Sequence, residues 1–127
     1  MKTNPIARIS VIILGIILII FGSFHLMKPK ELFGYVPAYL PGGIIWVYFT
    51  GIAFMMAGIA FILHKKVKIA GYLLAFLLMI FVITIHLPNF LNAGDGEMKQ
   101  MSLISILKDT AIAAFAMYIA SNAQNLD

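Results

Sequence analysis

Two imidazoles, one ammonium and one carboxylate stand inside otherwise apolar stretches of this sequence, as His25, His86, Lys108 and Asp109. A titratable side chain in a long apolar segment is costly to place in hydrocarbon, so by default it faces a helix-bundle interior or water and marks a site. A carboxylate beside an imidazole raises the histidine pKa and makes a pH-sensitive pair. A histidine or lysine at the rim of an apolar slot can donate a hydrogen bond to a carbonyl-bearing ligand such as a quinone. With Asn89 and Trp46, these four residues form the candidate ligand-binding set. Each also has a structural reading. The histidines can tie helix ends together, Lys108 can extend to the headgroup region, and Asp109 near a helix start can lean on the helix dipole.

Other chemistries fit less well. Zinc asks for three or four ligands at suitable spacing, and haem for paired histidines well inside neighbouring helices, so no metal site is assigned. The chain has no cysteine, which excludes thiolate metal sites and disulfide exchange; any redox chemistry belongs to a bound cofactor or a partner. No phosphate-cradling glycine loop and no serine, histidine and acid triad is present, and no catalytic residue is assigned.

The elements that must position these groups follow from composition. Of 127 residues, 62% are hydrophobic and 11% charged, far from the balance of a soluble domain. A bilayer core about 30 Å thick needs roughly 20 apolar residues per helical span. Four such runs occur, at 9–27, 42–63, 69–87 and 102–121, and predict an all-α, integral membrane four-helix bundle forming one transmembrane domain over residues 1–127. The first run is longer than the apolar part of a secretory signal and lacks a small-residue cleavage site, so it reads as a retained span.

Lys2, Arg8, Lys65, Lys66 and Lys68 fall on one side of the spans. Lys28, Lys30 and Lys99, diluted by Glu31, Asp95 and Glu97, fall on the other. The positive-inside rule then puts both termini and the short basic loop in the cytoplasm. Tyr35, Tyr39, Trp46 and Tyr48 fall at the outer headgroup level, and Tyr72 and Tyr118 at the inner one. The net charge of +4 reflects this topology and implies no nucleic-acid partner.

Small residues recur at helical spacing, the means by which membrane helices approach closely. Gly15 and Gly22 form such a stripe on the first helix, and Gly51 and Gly58 on the second. Gly71, Ala75, Met79 and Val82 do so on the third, and Asp109, Ala113, Ala116 and Ala120 on the fourth. His25 and His86 lie on these faces by their spacing from Gly22 and Ala75. Lys108 is about 100° around the helix from Asp109, so a direct pair between the two is not expected, and Asp109 should find His25 or His86 on another helix. Pro88 should end the third helix at Leu87. The segment 89–101 reads as a polar turn, 64–68 as a tight hairpin link, and 28–41, with three prolines among apolar residues, as an outer interfacial loop.

Phe21-Gly22-Ser23-Phe24-His25, followed by Pro29, Phe33, Val36-Pro37, Leu40-Pro41 and Thr50-Gly51, resembles the DoxX-like family of bacterial membrane proteins. His86-Leu87-Pro88-Asn89 and Leu107-Lys108-Asp109 are similar to the same family, so the resemblance covers almost the whole chain. It implies a multi-pass protein of the bacterial cytoplasmic membrane, often an accessory to redox systems. It marks Gly22, His25, Pro37, Pro41, Gly51, Pro88 and Lys108, and supplies no catalytic mechanism. Ala113-Ala114 stand where glycine is common in relatives, which implies slightly different packing.

Three functions remain open. The first is a quinone-interacting subunit working with a redox partner protein. The second is a non-enzymatic scaffold or assembly partner docking through 28–41. The third is a small transporter, disfavoured because Asp109 is expected near a helix end and not at the bilayer midplane. Association into a homo-oligomer is open as well.

Overall fold

The computed structural model describes residues 4–30 and 42–123. The expected interfacial loop therefore lies, from residue 31 to 41, outside the described residues, as do Lys2, Tyr35 and Tyr39. Helix α1 runs from Pro5 to Met27, α2 from Ile45 to Leu63 and α3 from Val67 to Phe81. A π-helical turn, Val82–His86, joins α3 to the short α4, Leu87–Leu91, and α5 spans Gly96–Ser121. Among the described residues there is no strand, and four helical stretches are long and apolar enough to cross a membrane.

The helix starts obey local rules. The Asn4 side chain accepts from the Ala7 amide at 2.8 Å and Pro5 opens α1, where a missing N–H costs nothing. Asp95 caps α5 by accepting from the Met98 amide at 2.7 Å. That cap starts the fourth helix well before Ser102, and the third span continues past Pro88 to Leu91, so the expected polar turn 89–101 shrinks to a few residues around Ala93 and Gly94.

Pro88 does not end the third helix as its chemistry suggested. A proline ring collides with the carbonyl four residues back, here that of Thr84. The π-turn widens the helix at this point, and the Leu87 amide reaches the Val82 carbonyl five residues back. The chain thus absorbs the proline and stays helical.

The four spans assemble as two antiparallel pairs. In the first, α1 meets α2 through glycines in register: a Cβ at Gly58 would stand 2.6 Å from the Gly15 carbonyl oxygen, and one at Gly22 would stand 2.7 Å from that of Gly51. No side chain fits there, so the helices touch backbone to backbone. In the second, α3 lies on α5, with Gly71 against Ala116 and Ala120. Leu14, Leu18, Phe54, Phe61, Leu78, Ala116 and Ile119 fill the space between the pairs. The expected stripes are therefore interior, Asp109, Ala113, Ala116 and Ala120 all being buried.

The outer surface inverts the pattern of a soluble protein. Ile13, Ile16, Ile20, Ile52, Ile59, Phe76 and Ile104 all point outwards and are exposed. Lipid chains, and not water, suit such a surface.

The link between α2 and α3 is three residues long, and His64 and Lys66 both adopt positive φ, 57° and 58°. Arg8 supports it from α1. Its guanidinium donates to the Phe61 carbonyl at 2.8 Å and also to the Ile62 carbonyl, satisfying carbonyls that the end of α2 leaves open. In the sequence Arg8 reads only as a topological charge; here it is a helix cap supplied in trans. His64 keeps Nδ1 buried without a hydrogen-bond partner, and burial, with the Arg8 charge nearby, holds its pKa below the ordinary 6.5.

Candidate functional site

The two pairs separate toward one end of the bundle and enclose a cavity of about 350 Å³. Its walls combine the last turns of α1, the first turns of α2, the π-turn with the start of α4, and the middle of α5. All six residues singled out in the sequence, His25, Trp46, His86, Asn89, Lys108 and Asp109, line it. Apolar side chains such as Leu18, Phe21, Phe54, Leu78 and Ile112 form most of the remaining wall. The shape is an apolar slot with polar groups gathered at one level, the usual make-up of a small-molecule site.

Asp109 is the anchor. It is 6% exposed, and a carboxylate so deep needs partners. The expected cross-helix bond forms: His86 Nε2 donates to Asp109 Oδ2 at 3.0 Å. His86 is carried to this position by the π-turn that also accommodates Pro88. Accepting on Oδ2 requires the hydrogen to be on Nε2, which fixes the tautomer of the neutral ring.

The Lys108 to Asp109 pair, not expected from their angular separation, also forms, with Nζ 3.7 Å from Oδ1. Although the two Cα–Cβ directions diverge, a four-carbon stem is long enough to wrap back around the helix. Lys108 Nζ also lies 5.0 Å from the centroid of the Phe21 ring, a cation–π contact that draws it over the cavity. Asp109 itself is close to the middle of the 26-residue α5 and not near its start, because α5 begins at Gly96. The helix dipole, which fades within the first turn, therefore contributes little to its charge.

His25 is held differently. Its Nδ1 donates to the Phe21 carbonyl at 2.7 Å, and its ring meets Phe54 edge-on with centroids 5.4 Å apart. It reaches α2 at Gly51, where a Cβ would stand 2.8 Å from His25 Cβ. The glycine seam thus ends directly beneath the cavity and sets the position of this imidazole.

Thr50, Ser102 and Ser105 also line the cavity and were not singled out in the sequence. Thr50 Oγ1 donates to the Trp46 carbonyl at 2.7 Å. Ser102 and Ser105 precede Asp109 by seven and four residues, so helical spacing already puts them on its face. Among the described residues, no three histidines and carboxylates cluster in a way that could hold a metal ion.

The model of a family described as a domain of unknown function (DUF8561) matches residues 14–120, from near the middle of α1 almost to the end of α5. The matched stretch contains every residue of the cavity wall named above. No curated protein and no solved structure matches the chain.

Proposed function

The chain belongs to the DUF8561 family, a domain of unknown function, and we propose, from its cavity, that it is a multi-pass protein of the bacterial cytoplasmic membrane that binds a quinone as an accessory subunit of a membrane redox system. The observation that carries this reading is the cavity itself, an apolar slot with His25, His86, Lys108 and Asp109 at one level. A quinone needs a flat apolar site for its ring and tail, with polar groups facing its oxygens. The DoxX-like pattern around His25, His86 and Lys108 supports a redox setting. The partner is then an electron-transfer protein that exchanges electrons with the bound ligand.

The basic residues Arg8, Lys65, Lys66 and Lys68 support an orientation with both termini and the α2–α3 link in the cytoplasm. Because the chain has no cysteine, single cysteines report topology cleanly. Lys65→Cys should be shielded from an impermeant thiol reagent in intact cells, and Asn92→Cys labelled.

The ligand itself is tested by purifying the protein with its native lipids and analysing the extract for bound quinone. The expected result is roughly stoichiometric quinone, lost in His86→Ala and Lys108→Ala. Quinone-free protein from quinone-replete membranes would move the reading to a scaffold.

A further inference from the structure

We infer that the cavity selects the reduced, hydroxyl-bearing form of its ligand, a quinol, over the oxidised quinone; this rests on the quinone-site reading above. The argument is one of hydrogen-bond polarity. A quinone headgroup carries only acceptors, whereas a quinol carries two hydroxyl groups that each donate and accept. Which form fits is decided by what the fixed polar atoms of the wall have left to offer.

A backbone carbonyl can only accept, so the 2.7 Å contact from His25 to the Phe21 carbonyl places the ring hydrogen on Nδ1. The neutral imidazole then presents a lone pair at Nε2, and no described group donates to it. His25 is thus an acceptor toward the cavity, the reverse of the donor role that its residue type alone suggested. His86 has committed its Nε2 hydrogen to Asp109. Asp109 Oδ1 is a further acceptor, 3.7 Å from Lys108 Nζ, a separation longer than a hydrogen bond. Lys108 is the strong donor, and the hydroxyls of Ser102 and Ser105 serve either way.

The wall therefore combines a lysine donor with two acceptors, His25 Nε2 and Asp109 Oδ1. A quinol satisfies both kinds: one hydroxyl donates to His25, and its other oxygen takes the Lys108 hydrogen bond. A quinone can take the lysine and serine hydrogen bonds, but it turns a carbonyl lone pair toward the lone pair of His25. Sites built to bond a hydroxyl reject analogues that lack it, because their own polar groups are left unpaired.

The test uses the full chain in lipid nanodiscs at pH 8, where an ordinary imidazole is neutral. The probes are a decyl-tailed benzoquinone, its quinol and the quinol dimethyl ether, which has no O–H. The quinol is expected to bind at least ten-fold more tightly than either of the others. A ten-fold preference raises the midpoint potential of the bound couple by about 30 mV over the free couple.

His25→Phe, which keeps a ring on Phe54 but removes the acceptor, should bring the quinol to quinone ratio close to one. His25→Gln, whose amide oxygen can accept, should recover part of the preference. Each variant is first checked for a parental melting profile, and the glutamine variant decides the matter if the phenylalanine variant does not fold. Equal binding of quinone and quinol by the parent, or tighter binding of the quinone, overturns the selectivity and leaves the quinone site standing. Binding of none of the three probes overturns the site itself.

Discussion

The two antiparallel pairs of this bundle are held by different physics. Between α1 and α2 the seam is bare backbone, with Gly15 on Gly58 and Gly22 on Gly51. Between the third span and α5 it opens with Gly71 on alanines and closes with a hydrogen bond from His86, in the π-turn, to Asp109. Shape fixes the first pair, and any added atom disturbs it. Hydrogen bonding to a buried carboxylate finishes the second. The cavity lies where one kind of pair faces the other. A rigid wall thereby holds His25, while the opposite wall carries the titratable groups.

The hardest test of this contrast is Gly58→Leu. Its Cβ would stand 2.6 Å from the Gly15 carbonyl oxygen, so the two helices must part. The expected cost is at or above about 3 kcal/mol, seen as loss of the folded form in a detergent melt followed by circular dichroism. A parental melting curve would show that the first seam is not fixed by shape.

His86→Leu probes the second seam and should cost about 1–3 kcal/mol by leaving the buried carboxylate short of a partner. Joining it to Asp109→Leu should recover much of that loss, because replacing both members by apolar groups removes the unpaired charge. If the double variant loses the sum of the two single effects, the pair contributes nothing as a pair, and the two seams are held alike.

The smallest effect belongs to the far end, where Arg8 and His64 meet. Burial lowers the His64 pKa below 6.5 in the folded chain, so the unfolded chain binds more protons in the window between the two values. Stability is then full above about pH 6.5 and falls as pH drops through the folded pKa. His64→Gln should flatten that dependence in melts between pH 5 and pH 8. A slope unchanged in His64→Gln would assign it to another group.

Much of this was legible in the sequence, for identifiable reasons. The spans follow from apolar run length, and the glycine and alanine stripes from the 3.6-residue period, because both are local properties of the chain. All six candidate residues line one cavity, since the antiparallel topology brings the end of α1, the start of α2 and the end of the third span to the level of the middle of α5. Other features were not legible, and three of them have a clear physical cause. Pro88 was read as a stop, because a proline's clash is local whereas the π-turn that relieves it is cooperative. The start of α5 was placed six residues late, at Ser102, because its first turns are polar and helix there depends on the Asp95 cap. The contact between Lys108 and Asp109 was missed because side-chain length, and not Cα direction, decides it.

The π-turn has one more implication. A surplus residue bulged into a π-turn is absorbed locally and leaves that one turn wider than an α-turn. Substituting Ile83 or Ile85 leaves that width intact, whereas excising either would close the turn to an ordinary α-turn. Pro88 would then meet the carbonyl four residues back that it now avoids.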